Sequence, residues 1–537
     1  MRLARFKRHI ALLAVCALAL TGCTASPSAG DPGDPADVSP AGNAPELTAS
    51  PLPAWTAVSD DRRFTLCYNA DASISPTRAT NVYNDAVLQL VYEGFFTLDA
   101  QFAPQPALCE SWQTPDGIHW SFTLRSGVLF HDGTPLTAAD AVSSIRAAVN
   151  AGKYDTRLRE IVGVSAGSEL QVDVTLRRCN YQLPALLDIP VFRQNAAGDG
   201  QVGTGPYAFR EYAGTRYLEA FDGYWGGNTQ PVRILYLADL EQSAVAESFS
   251  SAALDLLVCD PTGTVEVNIR RDCEMRYFDT TRLQYLGFNC TRAVTGMPAL
   301  RKAVSCAIDR AYIAGTVLEG HARASETPFS PALSWYDPAW ESGVPYSVEA
   351  FSALFAELGL DDSDADGWLE VPVGETMTDW TPTLLVNAEN PYKIRAAQRI
   401  ASTLLSIGIP VELKVLPWAE FTQALKDGAF DMYYGEVQLS ADFDLTELLT
   451  PGGALNYGKN RDGRYSDLTE AYLAAADPEA RAAAAGELCG YLAVYAPIAP
   501  ILFKTGVVYT HRGVVSGFTP SQSDFYGGIN TWEIHLG

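Results

Sequence analysis

Two acidic loops carry residue types and spacings from which chemistry can be built. The first lies in Gly435–Leu449, GEVQLSADFDLTELL, where Ser440-Ala441-Asp442-Phe443-Asp444 follows an apolar run containing Tyr433 and Tyr434. Asp444 stands where it can cap a helix beginning near Leu445, and Asp442 can either line a cleft or sit in water. The second loop is Asp362-Ser363-Asp364-Ala365-Asp366-Gly367. Acids at alternate positions followed by glycine resemble the start of a calcium loop. The ninth position is Glu370, but the twelfth, where a bidentate acid belongs, is Val373. A solvated turn is the simpler reading. Paired carboxylates such as Asp361/Asp362 or Asp442/Asp444 can in principle cleave a glycoside, but nothing in the spacing sets two of them at a working separation.

The usual signatures of catalysis are missing. There is no Gly-x-Ser-x-Gly, no His-Glu-x-x-His and no Walker loop. The six histidines are His9, His119, His131, His321, His511 and His535, and no two stand at i,i+2 or i,i+4. A histidine-built metal site is therefore not expected. Gly203-Thr204-Gly205-Pro206-Tyr207 has the glycines of a phosphate cradle without its Lys-Ser/Thr, and Pro206 lacks an amide donor. It reads as a structural turn. No enzyme activity and no cofactor are expected.

The elements that must position these loops are those of a large α/β protein. At 537 residues the chain exceeds one ordinary core. Its 47% hydrophobic and 11% aromatic content suits a packed body. The net charge is −25, and loss of Arg2, Arg5, Lys7 and Arg8 with a leader makes it about −29, which excludes nucleic acid as a partner. Residues 1–22 form an export signal: a basic start, an apolar run from Ile10 to Leu20, then Leu20-Thr21-Gly22-Cys23, a lipobox whose thiol takes the lipid. Residues 23–62 carry that cysteine and a tether too poor in large apolar side chains to bury a core, with a reach of roughly 30 Å. The eight further cysteines have no Cys-x-x-Cys spacing and read as buried thiols, with Cys259 and Cys273 the one local pair worth testing.

Periodicity places the body's elements. Strands are expected at Phe64–Tyr68, Trp120–Leu124, Glu169–Leu176, Val232–Leu237, Gln284–Asn289, Ile409–Leu416, Phe430–Tyr434 and Ile498–Phe503. Helices are expected at Thr80–Tyr92, from Thr137 (with Asp140 three places on) to Ala148, and at Met297–Leu318, Asn390–Leu405 and Pro478–Val494. The alternation after Asn390 predicts a mixed sheet with helices on its faces.

The ordered set "YEG", "P-AL-ESW", "DG-W-F-LR-GV-FHDGTPLTA-D-V-S" between Val91 and Ala148 resembles the peptide/nickel class of extracellular solute-binding proteins, the receptor subunits of ABC importers. "VGTGPY", "YWGG", "FN" with "MPALRKAVSCAIDRAYI", "RIASTLLSIGIPVEL" and "FTQALKDGAFDMYYG" extend the resemblance over the whole body. It implies a periplasmic-binding-protein-like clamshell of two α/β lobes with a further domain inserted in the first. Lobe one would comprise residues 63–84, 201–288 and 503–537, the inserted domain 85–200 and lobe two 289–502. It implies a monomer that captures an oligopeptide or dipeptide by closing on it and delivers it to a membrane permease driven by a separate ATPase. A nickel chelate, a sugar, a sensory role on the same fold and a secreted hydrolase are the alternatives left open. The acidic loop is similar to the family's "W-ADYPDP" segment, whose first acid holds a peptide amino group, and this assigns Asp442, with Phe443 beside it, to the ligand. A buried carboxylate on an ammonium contributes about 1.5–3 kcal/mol. Here the tryptophan before the acid and the "PDP" after it are gone, with Val437, Gln438 and Leu439 in their neighbourhood. Asn289, Ala70, Asp71, Tyr433 and Tyr434 are the remaining cleft candidates.

Overall fold

Two long strands, Cys273–Phe288 and Ile498–His511, organise the molecule. Both exceed the apolar hexamers that predict them. The computed structural model describes residues 63–535 apart from 195–200, 228–229, 266, 344–345, 361 and 374, and all of these belong to one unit, Leu52–Gly537. The two strands pair antiparallel at the centre of an eleven-stranded sheet. At about 3.3 Å per residue the longer spans roughly 50 Å, so it runs through the whole sheet. Polar Arg276, Asp279, Thr280, Thr281 and Arg282 interrupt one apolar pattern, and Lys504-Thr505-Gly506 the other, which is why sequence periodicity stops short.

On one side the sheet continues through Leu256–Cys259, Phe64–Tyr68, Ile234–Asp239, Thr215–Ala220 and Tyr207–Tyr212, and on the other through Met432–Gln438, Thr383–Asn387 and Glu412–Leu416. Phe64–Tyr68 runs parallel to both neighbours, as does Thr383–Asn387. Helices cover the faces. Val82–Val91 buries Tyr83, Ala86, Val87, Leu90 and Val91 against the first side, and Pro391–Leu405 buries Ala396, Ala397, Ile400 and Leu404 against the second. The latter starts as the sequence predicts: the Asn390 side chain accepts from Lys393 N–H and proline follows it.

A separate antiparallel sheet lies within residues 109–176, ordered Cys109–Gln113, His119–Leu124, Gln171–Leu176, Ile161–Ala166. Helix Ala138–Val149 packs Ala141, Val142 and Ile145 onto Trp120, Phe122, Leu124, Val172 and Val174 in a core of its own. Asp140 reaches back to the Thr137 N–H, as the spacing predicts.

The predicted helix Met297–Leu318 is broken. Pro298–Cys306 is helical, then Asp309 caps a new turn through Tyr312 that runs into a π-turn, Ile313–Val317. The Arg310 guanidinium, almost wholly buried, causes the break: it donates to the Ser305 carbonyl (3.1 Å), the Ser305 hydroxyl (2.8 Å) and Pro500 O (2.8 Å). All eight body cysteines are free. Cys259 and Cys273 do not pair, because they flank strand Ile498–His511 on opposite sides, opposite Val507 and His511. Two strand spacings, about 10 Å, exceed disulfide reach. Among the described residues no helix is long and apolar enough to cross a membrane.

Candidate functional site: a charged cleft

A cavity of about 800 Å³ opens beside the two long strands. Its walls come from the small-sheet region (Arg157, Arg178, Asn180), the acidic loop (Asp442, Asp444) and the strand centre (Arg282, Lys504).

Asp442 is 2% exposed. One carboxylate oxygen accepts from the Ser440 hydroxyl (2.5 Å) and Asp444 N–H (3.2 Å), the other from the Asn180 amide (2.9 Å). All three donors are neutral, and among the described residues no cation forms an ion pair with it. Burial, then the nearby Asp444 charge, pushes its carboxyl above the usual range. An acceptor of this kind retains lone-pair capacity, and the buried Arg157 and Arg481 guanidinium groups feel its charge without forming an ion pair with it. Phe443 gives the loop its shape. Its φ is +52°, left-handed backbone that a bulky residue adopts only when packing forces it. The force is aromatic: its ring lies 5.6 Å from Phe102 and 6.2 Å from both Phe329 and Phe503. Phe443 therefore stands in the core behind the cleft.

Asp444 makes the contact that joins the two walls. Its side chain accepts from Thr446 N–H (2.9 Å), although the N-cap of Thr446–Leu449 is Leu445 and not Asp444 as predicted, and it also pairs with Arg178. Arg178 donates to the Thr446 hydroxyl as well (2.9 Å), and Arg159 pairs with Glu447. Tyr181 N–H donates to Leu473 O (3.0 Å), and the Tyr472 hydroxyl, which holds Asp442 O (2.8 Å) within its own wall, lies 3.3 Å from the Gln182 side-chain oxygen. This polar latch ties residues 159–182 to residues 442–473. Removing one partner of a half-buried pair leaves the other charge uncompensated. Arg178→Ala is therefore expected to weaken solute retention about tenfold, checked by dissociation kinetics, and to increase the radius of gyration seen by small-angle scattering. Unchanged kinetics and dimensions would show that the latch plays no part in closure.

Other predicted residues lie elsewhere. Asn289 is buried and structural: its amide donates to Gly428 O and Phe430 O (both 3.1 Å) and its carbonyl accepts from Thr291. Tyr433 and Tyr434 sit in the sheet, with their hydroxyls on the Tyr285 hydroxyl (3.3 Å) and Gln284 (2.7 Å). Ala70 and Asp71 form a turn on Asn69, and Ala70 N–H donates to Asp239. None of these five lines the cavity. The carboxylates of Asp362, Asp364 and Asp366 converge within 4.8 Å, yet they accept the loop's own N–H groups at Asp366, Gly367 and Trp368. The loop leads into a hairpin, Glu370–Val373 with Thr376–Asp379, so the second helix of an EF-hand is missing.

Sequence reasoning missed Glu93, which lines the cavity. It accepts from the Trp225 indole (2.9 Å), the Tyr224 hydroxyl (2.9 Å) and the Thr204 hydroxyl (2.8 Å). Burial nevertheless pushes its carboxyl up to about 7. The glycines beside it are required by close approach, since a Cβ on Gly203 would lie 2.0 Å from Val91 O. The structural turn expected from the sequence is found, and it clamps the "YEG" segment just after helix Val82–Val91.

Comparison with known proteins agrees with this geometry. The chain is 23% identical to heme-binding protein A of Haemophilus influenzae over 409 residues, covering 68% of this chain and 71% of that one. It is 24% identical to the oligopeptide-binding protein AppA of Bacillus subtilis, covering 66% and 70%. The solved structure of HbpA2 from Haemophilus parasuis shares the fold, with a TM-score of 0.72 at 19% identity, covering 88% of this chain and 100% of that one. The middle-region model of the bacterial extracellular solute-binding proteins, family 5, matches residues 103–453. That match takes in more than half the chain, with Arg157, Arg178, Asn180, Arg282, Asp442 and Asp444 of the cleft, and the chain belongs to this family of solute-binding proteins.

Proposed function

We propose that this protein captures a short peptide in the cleft beside Asp442 and hands it to an ABC permease served by a separate ATPase. The observation that carries this reading is the buried Asp442 carboxylate, held by three neutral donors beside a cavity of about 800 Å³ and with no ion pair of its own among the described residues. A peptide amino group supplies a direct ion pair, and the volume suits a small solute. Family membership and the AppA relative support it. In this reading residues 63–84, 201–288 and 503–537 form one lobe, 289–502 the other and 85–200 an inserted domain, with the latch closing the two walls over the solute. Cys23, outside the described residues, is read as the lipid-bearing first residue of a membrane-anchored monomer, and residues 23–62 as its tether.

The test is mass spectrometry of the solute that co-purifies with the body, followed by thermal-shift titration with di- and tripeptides, hemin and the nickel–histidine complex. Peptides are expected to raise the melting temperature by several degrees at saturation. Stabilisation by hemin or the nickel complex alone would replace the peptide reading with the alternative that the relatives' names suggest. Loss of membrane association in Cys23→Ala cells tests the anchor.

A further inference from the structure

The loop that carries Asp442 leaves the main sheet at a defined point. Strand Met432–Gln438 pairs with Cys273–Phe288 as far as Arg282↔Gln438, so Leu439 is the first residue beyond the ladder. A hydrogen-bonded antiparallel pair at the next position would exchange two amide-to-carbonyl bonds. Only one of them forms: Leu439 N–H donates to Thr281 O (3.0 Å). A side chain makes the other. The Thr281 hydroxyl donates to Leu439 O (2.7 Å), and the Thr281 N–H is turned elsewhere.

A bulge explains this exchange. The two long strands keep register at Asp279↔Thr505 and resume it at Leu283↔Phe503, so Thr280, Thr281 and Arg282 oppose Lys504 alone. Extra residues in a bulge bend the strand and take donors out of the ladder. Thr281 is wholly buried, so its N–H needs an acceptor within the protein. It finds the Gln522 side-chain oxygen at 2.7 Å, 241 residues further along the chain.

The C-terminal tail that brings Gln522 there is itself fixed. The Ser521 and Ser523 hydroxyls on either side both donate to Leu98 O (2.9 and 3.1 Å), and that of Ser523 also accepts from Leu98 N–H (2.7 Å). Phe525 N–H donates to the Gln89 side chain (2.8 Å). Leu98 packs with Ala185 and with Ala441, the residue before Asp442. Residues 521–523 therefore reach the acidic loop twice, through Thr281 to Leu439 and through Leu98 to Ala441.

We propose that Gln522 is a positioning residue for solute capture: by accepting the Thr281 N–H it holds Thr281 where its carbonyl and hydroxyl fix Leu439, and with it the backbone that presents Asp442. The proposal rests on the acidic loop being a contact of the solute. A loop held in this way binds without first losing conformational freedom.

The experiment compares wild type, Gln522→Leu and Gln522→Glu by amide hydrogen exchange without solute and by calorimetric titration with trialanine. Leucine removes the acceptor, whereas glutamate keeps an accepting oxygen in either protonation state. In Gln522→Leu the amides of residues 439–444 are expected to exchange about tenfold faster, those of Trp120–Leu124 in the separate core to stay as they are, and trialanine to bind about tenfold more weakly. Gln522→Glu should restore both. Combining Gln522→Leu with Thr281→Val should weaken binding by less than the product of the two separate factors, since the residues act in series. Unchanged exchange at 439–444 in Gln522→Leu overturns the proposal whatever the affinity, because any lost binding would then come from direct contact with the solute. Faster exchange that Gln522→Glu fails to reverse, or that extends equally to Trp120–Leu124, overturns it as well. If trialanine binds none of the proteins, the peptide reading falls and the exchange rates alone decide the role of Gln522.

Discussion

Asp442→Ala is expected to weaken binding of a cationic solute by about ten- to a hundredfold, the size of one charge-assisted hydrogen bond in an enclosed site. The unliganded variant should melt higher than wild type, not lower. The native carboxylate is 2% exposed and has no ion pair among the described residues, and burial, then the Asp444 charge, disfavours its ionised form in the empty fold. Asp442→Asn keeps the shape and removes the charge while turning one of the two accepting oxygens into a donor, so it reads the charge together with one altered hydrogen bond. The pH dependence follows with a definite sign. Burial raises the carboxyl's pKa in the empty protein, and a bound ammonium would lower it, so binding expels a proton at acid pH. Affinity should rise as pH increases through the raised pKa and level off above it, and the variants should lack this rise. Isothermal titration over a series of pH values reads both effects. An Asp442→Ala protein that binds the co-purifying solute with unchanged affinity removes this residue from the site.

The second large effect is on stability. Glu93 has a folded pKa of about 7 against 4.5 for the free side chain, with burial as the cause. The folded state holds the proton more tightly. Its contribution therefore favours folding at low pH, is lost as pH rises from about 4.5 to about 7, and is constant above that, with a span on the order of 2–3 kcal/mol. Asp255 and Asp524, each raised by burial to about 6, act in the same direction over a lower range. The difference between wild type and Glu93→Gln isolates the one residue. The variant should lose less stability between pH 5 and pH 8 and be the more stable protein at pH 8. Urea unfolding at four pH values measures it, and parallel pH profiles for the two proteins would show that the Trp225, Tyr224 and Thr204 donors already satisfy the charge.

Much of the fold was legible where a local rule decides it. Asn390 and Asp140 announce helix starts through their own backbone contacts, and Trp120–Leu124 announces a strand by alternation. Legibility failed where distant residues decide. Arg310 breaks a helix because it reaches the carbonyl of Pro500, and the long strands continue through polar residues because each supplies the other's partners. The acidic loop was visible as a loop, but the role of each acid was set by partners some 260 residues away: Asn180 on Asp442 and Arg178 on Asp444. Phe443, adjacent in sequence to the candidate acid, is held in the aromatic core by remote rings, and that packing imposes its left-handed backbone. Nothing in a hexamer of sequence carries that information. Glu93 and Arg282 escaped notice for a related reason, since each gains its character from a bulge or turn built by remote strands.

The order of strands in the main sheet also dictates when this chain can fold. Phe64–Tyr68, the first strand made, must wait for partners at 234–239 and 256–259, and the latter pairs on its far edge with residues 507–510. The central ladder cannot close until Ile498–His511, close to the C-terminus, has been synthesised. Contacts this distant in sequence delay commitment to the native state. Residues 109–176 can close their own core early, but the main sheet of a nascent chain of this design stays open until its last long strand arrives. The same topology would make C-terminal truncation before residue 511 fatal to both sides of the sheet at once.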